Sequence, residues 1–381
     1  MIWKCSRNGI HWGIFTLPLF LGACFVLMRT DSQAQEAAVV VSEFVFDQVP
    51  FPSCHASTIV QASDGSIVIA WFGGKYEKSE DVGIWISRKG SDGWTSPVEV
   101  ANGVQFHWTP TPELSGVANQ SVQRYPTWNP VLFQPSTGPL MLFYKAGPSP
   151  QSWWGMVTTS ADHGVSWSKP VRLPEGILGP IKNKPIELED GSILCPTSHE
   201  TDDGSDLWTV YFERLSLKDR TWSRTKPLND PRKIGAIQPS VLKLGGNRLA
   251  AIGRTQQGYV FQMESSDLGN TWSEMKLTSL PNPNSGTDAI TLRDGRHLLV
   301  YNHATKKPGE WGGERSPLNV AISIDGSQWT SVLELENEPN QEFSYPAVIQ
   351  AADDTVHIAY TWKRQKIKHV ALRLKSIPFK K

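Results

Sequence analysis

The strongest constraint on the fold is a short phrase that returns along the chain. "SADHGVSW" at 160–167 and "SSDLGNTW" at 265–272 place Ser, Asp, Gly and Trp at the same spacing. In such a phrase the Asp side chain can bond to the backbone of its own turn, and the glycine allows a positive φ. Looser versions end at Trp94, Trp222 and Trp329. Because catalytic motifs seldom occur twice in one chain, the phrase indicates a repeated structural unit.

A second marker repeats in step with the first. Six segments each combine an apolar strand, a tight turn and a second apolar strand, and four of them carry Asp-Gly or a close variant at the turn. They begin at His55, Asn129, Asn183, Gln238, Asp288 and Tyr345. Steps of 74, 54, 55, 50 and 57 residues separate them, and the tryptophans that end the five phrases are 73, 55, 50 and 57 residues apart. The two markers together predict a unit of an inner and an outer hairpin, and four strands in roughly fifty residues are typical of a propeller blade.

Composition and the start of the repeat complete this prediction. The 381 residues include 16 Trp, 31 Gly and 27 Pro, which favour many short strands and turns over long helices. The segment 38–49, "AVVVSEFVFDQV", alternates like a strand, and we expect it to close the ring as the outermost strand of the sixth blade. The longer first step predicts an insertion near 103–125. The sequence therefore predicts an all-β protein in which residues 36–381 form one six-bladed β-propeller of four-stranded antiparallel sheets.

The first 35 residues have a different character. Basic residues precede an apolar run from about 13 to 28, and small residues suited to cleavage follow near Ala34. This pattern predicts a secretory signal peptide over 1–35 and a secreted or periplasmic mature chain without a transmembrane helix. "LGAC" at 21–24 leaves a second interpretation open, a lipoprotein anchored at Cys24.

Charge and cysteine content exclude several function classes. Lys and Arg number 37 and balance the 37 Asp and Glu, so there is no electrostatic case for a nucleic-acid partner. Cys54 and Cys195 remain after the signal peptide, too few for a disulfide framework. No phosphate cradle or metal constellation stands out, and "TSHETDD" at 197–203 is typical of a solvated polar loop. We therefore expect no cofactor and no metal.

Polar residues mark the positions where the inner strands begin. In a propeller these positions surround a central depression, so their side chains converge. The residues at these starts are His55, Asn129, Lys182 to Lys184, Gln238, Asp288 and Tyr345. Those at the ends of the second strands include Lys145, His199, Arg254, His303 and Arg364. A depression ringed by so many polar and charged groups indicates a binding site.

The Trp-ended phrase resembles the Asp-box of the bacterial sialidase-like (BNR repeat) propellers, and the resemblance runs from the first blade to the last. In that superfamily three arginines bind the substrate carboxylate, a tyrosine is the nucleophile, a glutamate activates it, and an aspartate is the acid/base. "QPSVLKLGGNRLAAIGR" places Arg254 at the second arginine, and "ERSPLNVAISIDG" places Arg315 at the third. Tyr345 in "FSYPAV" matches the nucleophile.

Three positions depart from the superfamily pattern. His55 in "PSCHAST" replaces the first arginine, and Gln238 replaces the activating glutamate. In "KSEDVGIW" either Glu80 or Asp81 stands for the acid/base residue. A neutral amide cannot take a proton from Tyr345, whereas a histidine offers a group that titrates near neutral pH.

The resemblance and the departures together predict an exported carbohydrate-active enzyme that acts on an acidic glycan. The expected catalytic residues are His55, Tyr345, Asp81 and Gln238, and the expected substrate contacts are Arg254, Arg315, Lys184, Asn129, Asp288 and His303. Hydrolysis of a terminal acidic glycoside and β-elimination at a uronate both fit these groups. A non-catalytic glycan-binding propeller also fits, because two catalytic positions are replaced.

Overall fold

The structure is a computed structural model that describes residues 38–110, 118–201 and 203–374. The predicted signal peptide over 1–35, with Cys24, lies outside the described residues. In the described part of the chain the protein is a ring of six β-sheets, the blades, around a central axis. This confirms the predicted six-bladed, all-β fold.

The strands follow one another blade by blade. β1 (Val39–Phe44) comes first, and blade 1 contains β2 (Ser53–Gln61), β3 (Ile67–Gly74) and β4 (Gly83–Gly90), with β5 (Gly93–Trp94) and β6 (Val98–Ala101) both paired to β4. β7 (Val104–Pro110) and β8 (Ala118–Arg124) form a separate hairpin within the segment where an insertion was expected. Blade 2 contains β9 (Thr127–Phe133), β10 (Leu140–Ala146), β11 (Trp154–Ser160) and β12 (Val171–Arg172). Blade 3 contains β13 (Ile186–Glu187), β14 (Ile193–Glu200), β15 (Trp208–Ser216) and β16 (Thr221–Arg224).

The second half of the ring repeats this order. Blade 4 contains β17 (Ala236–Gly245), β18 (Arg248–Thr255), β19 (Tyr259–Ser265) and β20 (Lys276–Pro281). Blade 5 contains β21 (Asp288–Thr291), β22 (His297–Tyr301), β23 (Leu318–Ser323) and β24 (Thr330–Glu336). Blade 6 contains β25 (Phe343–Gln350), β26 (Val356–Trp362) and β27 (Lys366–Leu372), and β1 is its outermost strand.

The ring is closed by pairing between the two ends of the described chain. β1 runs antiparallel to β27, with Val39 opposite Leu372 and Phe44 opposite Lys368. The first described strand therefore completes the blade that the last strands begin.

Apolar packing holds neighbouring blades together. The buried apolar side chains of the described residues form six clusters, and each cluster lies between two adjacent blades. Alternation along the strands presents apolar side chains to both neighbouring sheets, and burying each large one contributes about 1.5–3 kcal/mol. The blades are therefore stable as a ring, in which each sheet has two partners.

The Asp-box turns connect the two outer strands of their blades and add to this packing. In the turn of blade 4, Asp267 Oδ1 accepts the backbone N–H of Thr271 at 2.9 Å and Oδ2 accepts its hydroxyl at 2.6 Å. Gly269 has a φ of 82°, which a side chain would strain. The phrase ends at Trp272, whose ring stacks on Phe212 of blade 3 with centroids 4.4 Å apart. The phrase is thus a structural device that joins neighbouring blades.

Candidate functional site

Four inner strands share a local distortion that turns one side chain toward the axis. In each strand a bulge interrupts the register, and one non-glycine residue has a positive φ. These residues are Ala56 (55°), Asn129 (37°), Gln238 (56°) and Tyr345 (51°). A bulge re-aims a side chain, and a positive φ at such residues costs about 1–3 kcal/mol. Strain repeated around one axis is typical of a functional site.

Three of these residues, Asn129, Gln238 and Tyr345, and His55 next to Ala56 border a cavity of about 410 Å³ at the centre of one face of the ring. Its lining residues are His55, Glu77, Lys78, Trp128, Asn129, Pro150, Gln151, Trp153, Glu200, Asp206, Gln238, Arg254, Trp311, Arg315, Tyr345 and Arg364. Residues from all six blades and their loops are present. Six residues expected at the site, His55, Asn129, Gln238, Arg254, Arg315 and Tyr345, lie in this cavity.

Three arginines face the cavity from blades 4, 5 and 6. Arg315 donates from Nη1 to Glu342 Oε1 at 2.8 Å, and Arg364 donates from Nε to Glu342 Oε2 at 2.9 Å. Arg364 also pairs with Glu77 through Nη1. Glu342 therefore bridges two guanidinium groups, and Arg364, which the sequence identified only as the end of a strand, is the third arginine of the site.

Arg254 differs from the other two arginines because no carboxylate neutralises it. Its side chain is buried, with 3% of the residue exposed, and Nη1 donates to the backbone oxygen of Asn284 at 3.1 Å. Its guanidinium lies over the rings of Trp208 and Tyr345, at 5.2 and 5.5 Å from their centroids. Among the described residues Arg254 forms no ion pair, and its Nε has no hydrogen-bond partner. Within the described part of the chain, the buried charge of Arg254 therefore has no ion-pair partner.

His55 and Tyr345 are in ring contact on the cavity wall. Their centroids are 4.2 Å apart, and His55 Nδ1 shares a hydrogen bond with Thr361 Oγ1 at 3.0 Å. Burial, followed by the charges of Arg364 and Arg315, holds the pKa of His55 well below its usual value. Burial and these charges therefore favour the neutral imidazole.

The carboxyl groups of the site lie at positions that the sequence did not indicate. Gln238 is buried, and among the described residues its Oε1 has no hydrogen-bond partner, so an amide stands where the superfamily has a glutamate. Glu200 lines the cavity, although its segment "TSHETDD" suggested a solvated loop. Glu342 precedes Tyr345 by three residues, and its bonds to two arginines become visible only in the folded ring.

Four of the predicted site residues do not line the cavity. Lys184 and Asp288 pair with each other at 2.5 Å, and Asp288 also accepts hydrogen bonds from Ser240 Oγ at 3.0 Å and from the backbone N–H of Val348 at 2.8 Å. Asp288 is only 1% exposed, and neither residue of the pair lines the cavity. The physical reason is the buried carboxylate, which needs both a cation and several donors.

His303 and Asp81 lie outside the cavity for local reasons. The hydroxyl of Tyr301 shares a hydrogen bond with His303 Nδ1, which holds the imidazole on its own strand end. Asp81 is exposed and accepts the backbone N–H of Lys75 at 3.0 Å, so its carboxylate closes a loop of blade 1. Glu80 is exposed as well and does not line the cavity. The acid/base residue expected in this loop therefore has to be sought elsewhere.

The described residues contain neither a membrane-spanning helix nor a cluster of side chains suited to a metal ion. No helix among them is long and apolar enough to cross a membrane. No group of three or more His, Cys, Asp or Glu side chains within the same residues is arranged to hold a metal ion.

Comparison with known proteins gives the same fold. A Dyadobacter fermentans protein of unknown function matches with a TM-score of 0.68 and 16% identity over 88% of this chain and 98% of its own. A Hadza microbial sialidase matches at 0.65 and 18% over 86% of this chain and 66% of its own, just under two thirds. The NanB sialidase of Streptococcus pneumoniae matches at 0.64 and 12% over 88% of this chain and 71% of its own. No curated protein sequence matches the chain.

The family comparison covers most of the ring. Residues 65–358 match the BNR repeat-like domain family, from the turn of the first inner hairpin to the last inner hairpin. The match agrees with the Asp-box turns and the six blades, and it confirms the predicted resemblance to the sialidase-like BNR propellers. The chain therefore belongs to the BNR repeat-like domain family.

Proposed function

We propose that the chain is an exported carbohydrate-active enzyme that hydrolyses the glycosidic bond of an acidic sugar. Arg254, Arg315 and Arg364 bind the carboxylate of that sugar in the axial cavity. The sialidases among the structural neighbours make a sialic acid the first candidate. Export rests on the signal peptide expected over 1–35, and N-terminal sequencing of the protein recovered from the periplasm or the medium tests it, with Cys24 as the first residue if the chain is a lipoprotein.

The observation that carries the proposal is the unpaired guanidinium of Arg254. A buried charge without a partner destabilises a protein by several kcal/mol, so its retention at a cavity indicates an anionic ligand. The planar fork of a guanidinium matches a carboxylate with two parallel hydrogen bonds. Arg315 and Arg364 place further guanidinium groups beside it, and Glu342 holds both side chains in place.

Tyr345 and His55 supply the chemistry in this proposal. The phenolic oxygen of Tyr345 attacks the anomeric carbon, and the neutral imidazole of His55 takes the phenolic proton. Ring contact at 4.2 Å supports this assignment, because a base has to lie near the proton that it takes. His55 thereby replaces the carboxylate that is missing at Gln238.

The amide at Gln238 also favours a second candidate, β-elimination at a uronate. In this reaction a base removes the proton next to the carboxylate carbon, and an acid protonates the leaving oxygen. The neutral His55 and the hydroxyl of Tyr345 fit these two roles, and the arginines stabilise the charge that develops on the carboxylate. The reaction needs no activated tyrosine, so a glutamine at 238 does not impair it.

One assay separates the candidates. The purified protein is incubated with sialosides, with oligosaccharides that end in a uronate, and with neutral galactosides as controls. Release of the free acidic sugar supports the hydrolase, and new ultraviolet absorbance from an unsaturated uronate supports the lyase. Binding of acidic sugars without any turnover contradicts both and leaves a glycan-binding propeller.

A further inference from the structure

We propose that Glu200 is the general acid of this enzyme, the group that protonates the oxygen of the leaving alcohol and then activates the water. The sequence had indicated Glu80 or Asp81 for this role, and both lie outside the cavity. The inference rests on the hydrolytic form of the proposed function. It deepens that function by naming a residue of blade 3 that the superfamily resemblance does not supply.

The position of Glu200 is fixed by the sheet. It is the last residue of β14, and it pairs with Trp208 at the end of the β14–β15 ladder. Trp208 is the ring on which the Arg254 guanidinium lies. The carboxyl group of Glu200 therefore projects into the cavity from the strand pair that also supports the carboxylate-binding arginine.

Glu200 is distinguished from Glu77 and Glu342 because its carboxyl group forms no ion pair with another described residue. Glu77 pairs with Arg364, and Glu342 accepts from Arg315, from Arg364 and from the hydroxyl of Ser344. Both carboxyl groups are thus held in ion pairs, and although burial acts to raise the pKa of Glu342, the charges of Arg315 and Arg364 keep this pKa below its usual value.

The two remaining carboxyl groups of the cavity differ in exposure. Asp206 is exposed and accepts from Gln256 Nε2 at 3.2 Å. Glu200 is partly buried, and the hydrogen bond it accepts is a long one, from Gln151 Nε2 at 3.5 Å. A partly buried carboxyl group with one weak partner is the best proton donor among them.

The surrounding charges are consistent with a protonated Glu200. Burial raises the pKa of Glu200 above its usual value, and the negative charges of Asp206 and Glu77 act in the same direction. Arg254 and Lys78 act against them. When the carboxylate of a substrate neutralises Arg254, one of the two opposing charges is removed, so binding favours the protonated acid further.

Glu200, Tyr345 and His55 account for every bond and proton in the two halves of the reaction. The bond between the anomeric carbon and the glycosidic oxygen breaks, its electron pair goes to the oxygen, and the proton of Glu200 joins that oxygen. The phenolic oxygen of Tyr345 forms the new bond to the anomeric carbon, and its proton goes to His55. In the second half, Glu200 takes a proton from water, the water oxygen displaces Tyr345, and His55 returns the proton to the phenol.

Substrates with different leaving groups test this role. The variant Glu200→Gln is compared with the wild type on 4-methylumbelliferyl N-acetylneuraminate, whose phenol leaves without protonation, and on a sialyl-galactoside, whose sugar alcohol needs a proton. We expect kcat/KM to fall by about 10²- to 10³-fold on the sialyl-galactoside and by less than about tenfold on the aryl glycoside. The matched control is Glu189→Gln, at an exposed carboxylate in a turn of the same blade. This variant should keep the wild-type kcat/KM on both substrates.

The pH profile gives a second readout. Wild-type kcat/KM on the sialyl-galactoside should fall at high pH as Glu200 loses its proton, and the Glu200→Gln variant should lack this limb. In Glu200→Ala, azide should restore turnover of the aryl glycoside, because the anion reacts with the glycosyl intermediate without a base. Tm values recorded for each variant separate a loss of folding from a loss of the acid.

Two different outcomes would contradict the role of Glu200 and the proposed hydrolysis. Equal losses on the two substrates in a folded Glu200→Gln variant, with the alkaline limb retained, would overturn the role of Glu200 while leaving the hydrolase intact. A wild-type protein without hydrolytic activity on either substrate would instead overturn the proposed hydrolysis, and the inference with it.

Discussion

A histidine pair at the closure of the ring predicts how stability depends on pH. His369 on β27 donates from Nδ1 to Glu43 Oε1 of β1 at 2.9 Å, because a carboxylate can only accept. Its Nε2 therefore accepts from Nδ1 of His357, also at 2.9 Å. Lys89 and Trp94 of blade 1 bond to the same Glu43 oxygen. A second proton on His369, at Nε2, would face the Nδ1–H of His357, and the hydrogen bond between the two rings would be lost.

The size of the stability loss at low pH follows from the pKa of His369. Burial, followed by the charge of His357, lowers this pKa to about 4, although the bond to Glu43 acts in the opposite direction. The unfolded chain binds the proton near pH 6.5, so the stability contributed by neutral His369 is present above that pH and is lost as pH falls toward 4. The full loss is about 3 kcal/mol, of which about 2 kcal/mol is reached at pH 5. His357, whose pKa burial also lowers, adds in the same direction.

Urea denaturation between pH 8 and pH 5 measures this dependence. The variant His369→Gln has no titrating group at this position, so its unfolding free energy should change by about 2 kcal/mol less than that of the wild type over this range. His163→Gln, at a histidine that bonds to Ser63 between blades 1 and 2, is the control and should keep the wild-type dependence. If the His369→Gln variant keeps the pH dependence of the wild type, the role given to His369 at the closure of the ring is refuted.

Three further predictions concern the cavity and the Asp-box. Arg254→Met should weaken binding of acidic sugars by about 10²- to 10³-fold without lowering the unfolding free energy, because a buried charge that has no ion-pair partner among the described residues is removed together with its bond to Asn284; intact binding in calorimetry would contradict this. His55→Gln should lower kcat by about 10²- to 10⁴-fold and leave binding of acidic sugars in place, and an unchanged kcat would remove His55 from the mechanism. Asp267→Ala should lower the unfolding free energy by about 1–3 kcal/mol through the lost bonds to Thr271, without loss of specific activity in the folded fraction, and a loss of activity at full stability would contradict the structural role.

The fold was predictable because the information for it is local. Each Asp-box closes its turn with side chains that lie within four residues of the aspartate, as between Asp267 and Thr271. Such short-range chemistry is visible in the sequence, and its recurrence in step with the six inner hairpins indicates the repeated blade. The inner hairpins repeat for the same reason, so the positions that face the axis could be identified as well.

The site was predictable only in part, because the inner strands differ in a feature that the hairpin pattern does not show. The strands that start near Asn129, Gln238 and Tyr345 contain bulges that turn these side chains into the cavity. Lys184 and Asp288 lie at the starts of the inner hairpins of blades 3 and 5, where no bulge interrupts the pairing of the two inner strands. Their side chains consequently meet each other in the centre of the ring.

The residues that sequence reasoning missed depend on the closed ring. Arg364 occupies a turn of blade 6 and meets Glu77 of blade 1, 287 positions away. Glu200 stands in a polar segment whose composition is typical of a solvated surface, and the neighbouring blades give it a cavity wall instead. Neither contact has a signal in the local sequence.

The central claim is that the arginine cluster binds the carboxylate of an acidic sugar, and one titration tests it most directly. Calorimetry compares N-acetylneuraminic acid and glucuronic acid with their methyl esters, which keep the shape of each sugar and remove the charge. The account predicts that at least one free acid binds, and that its ester binds about 100-fold more weakly or not at all. Equal affinity of acid and ester, or no binding of either acid, would contradict it.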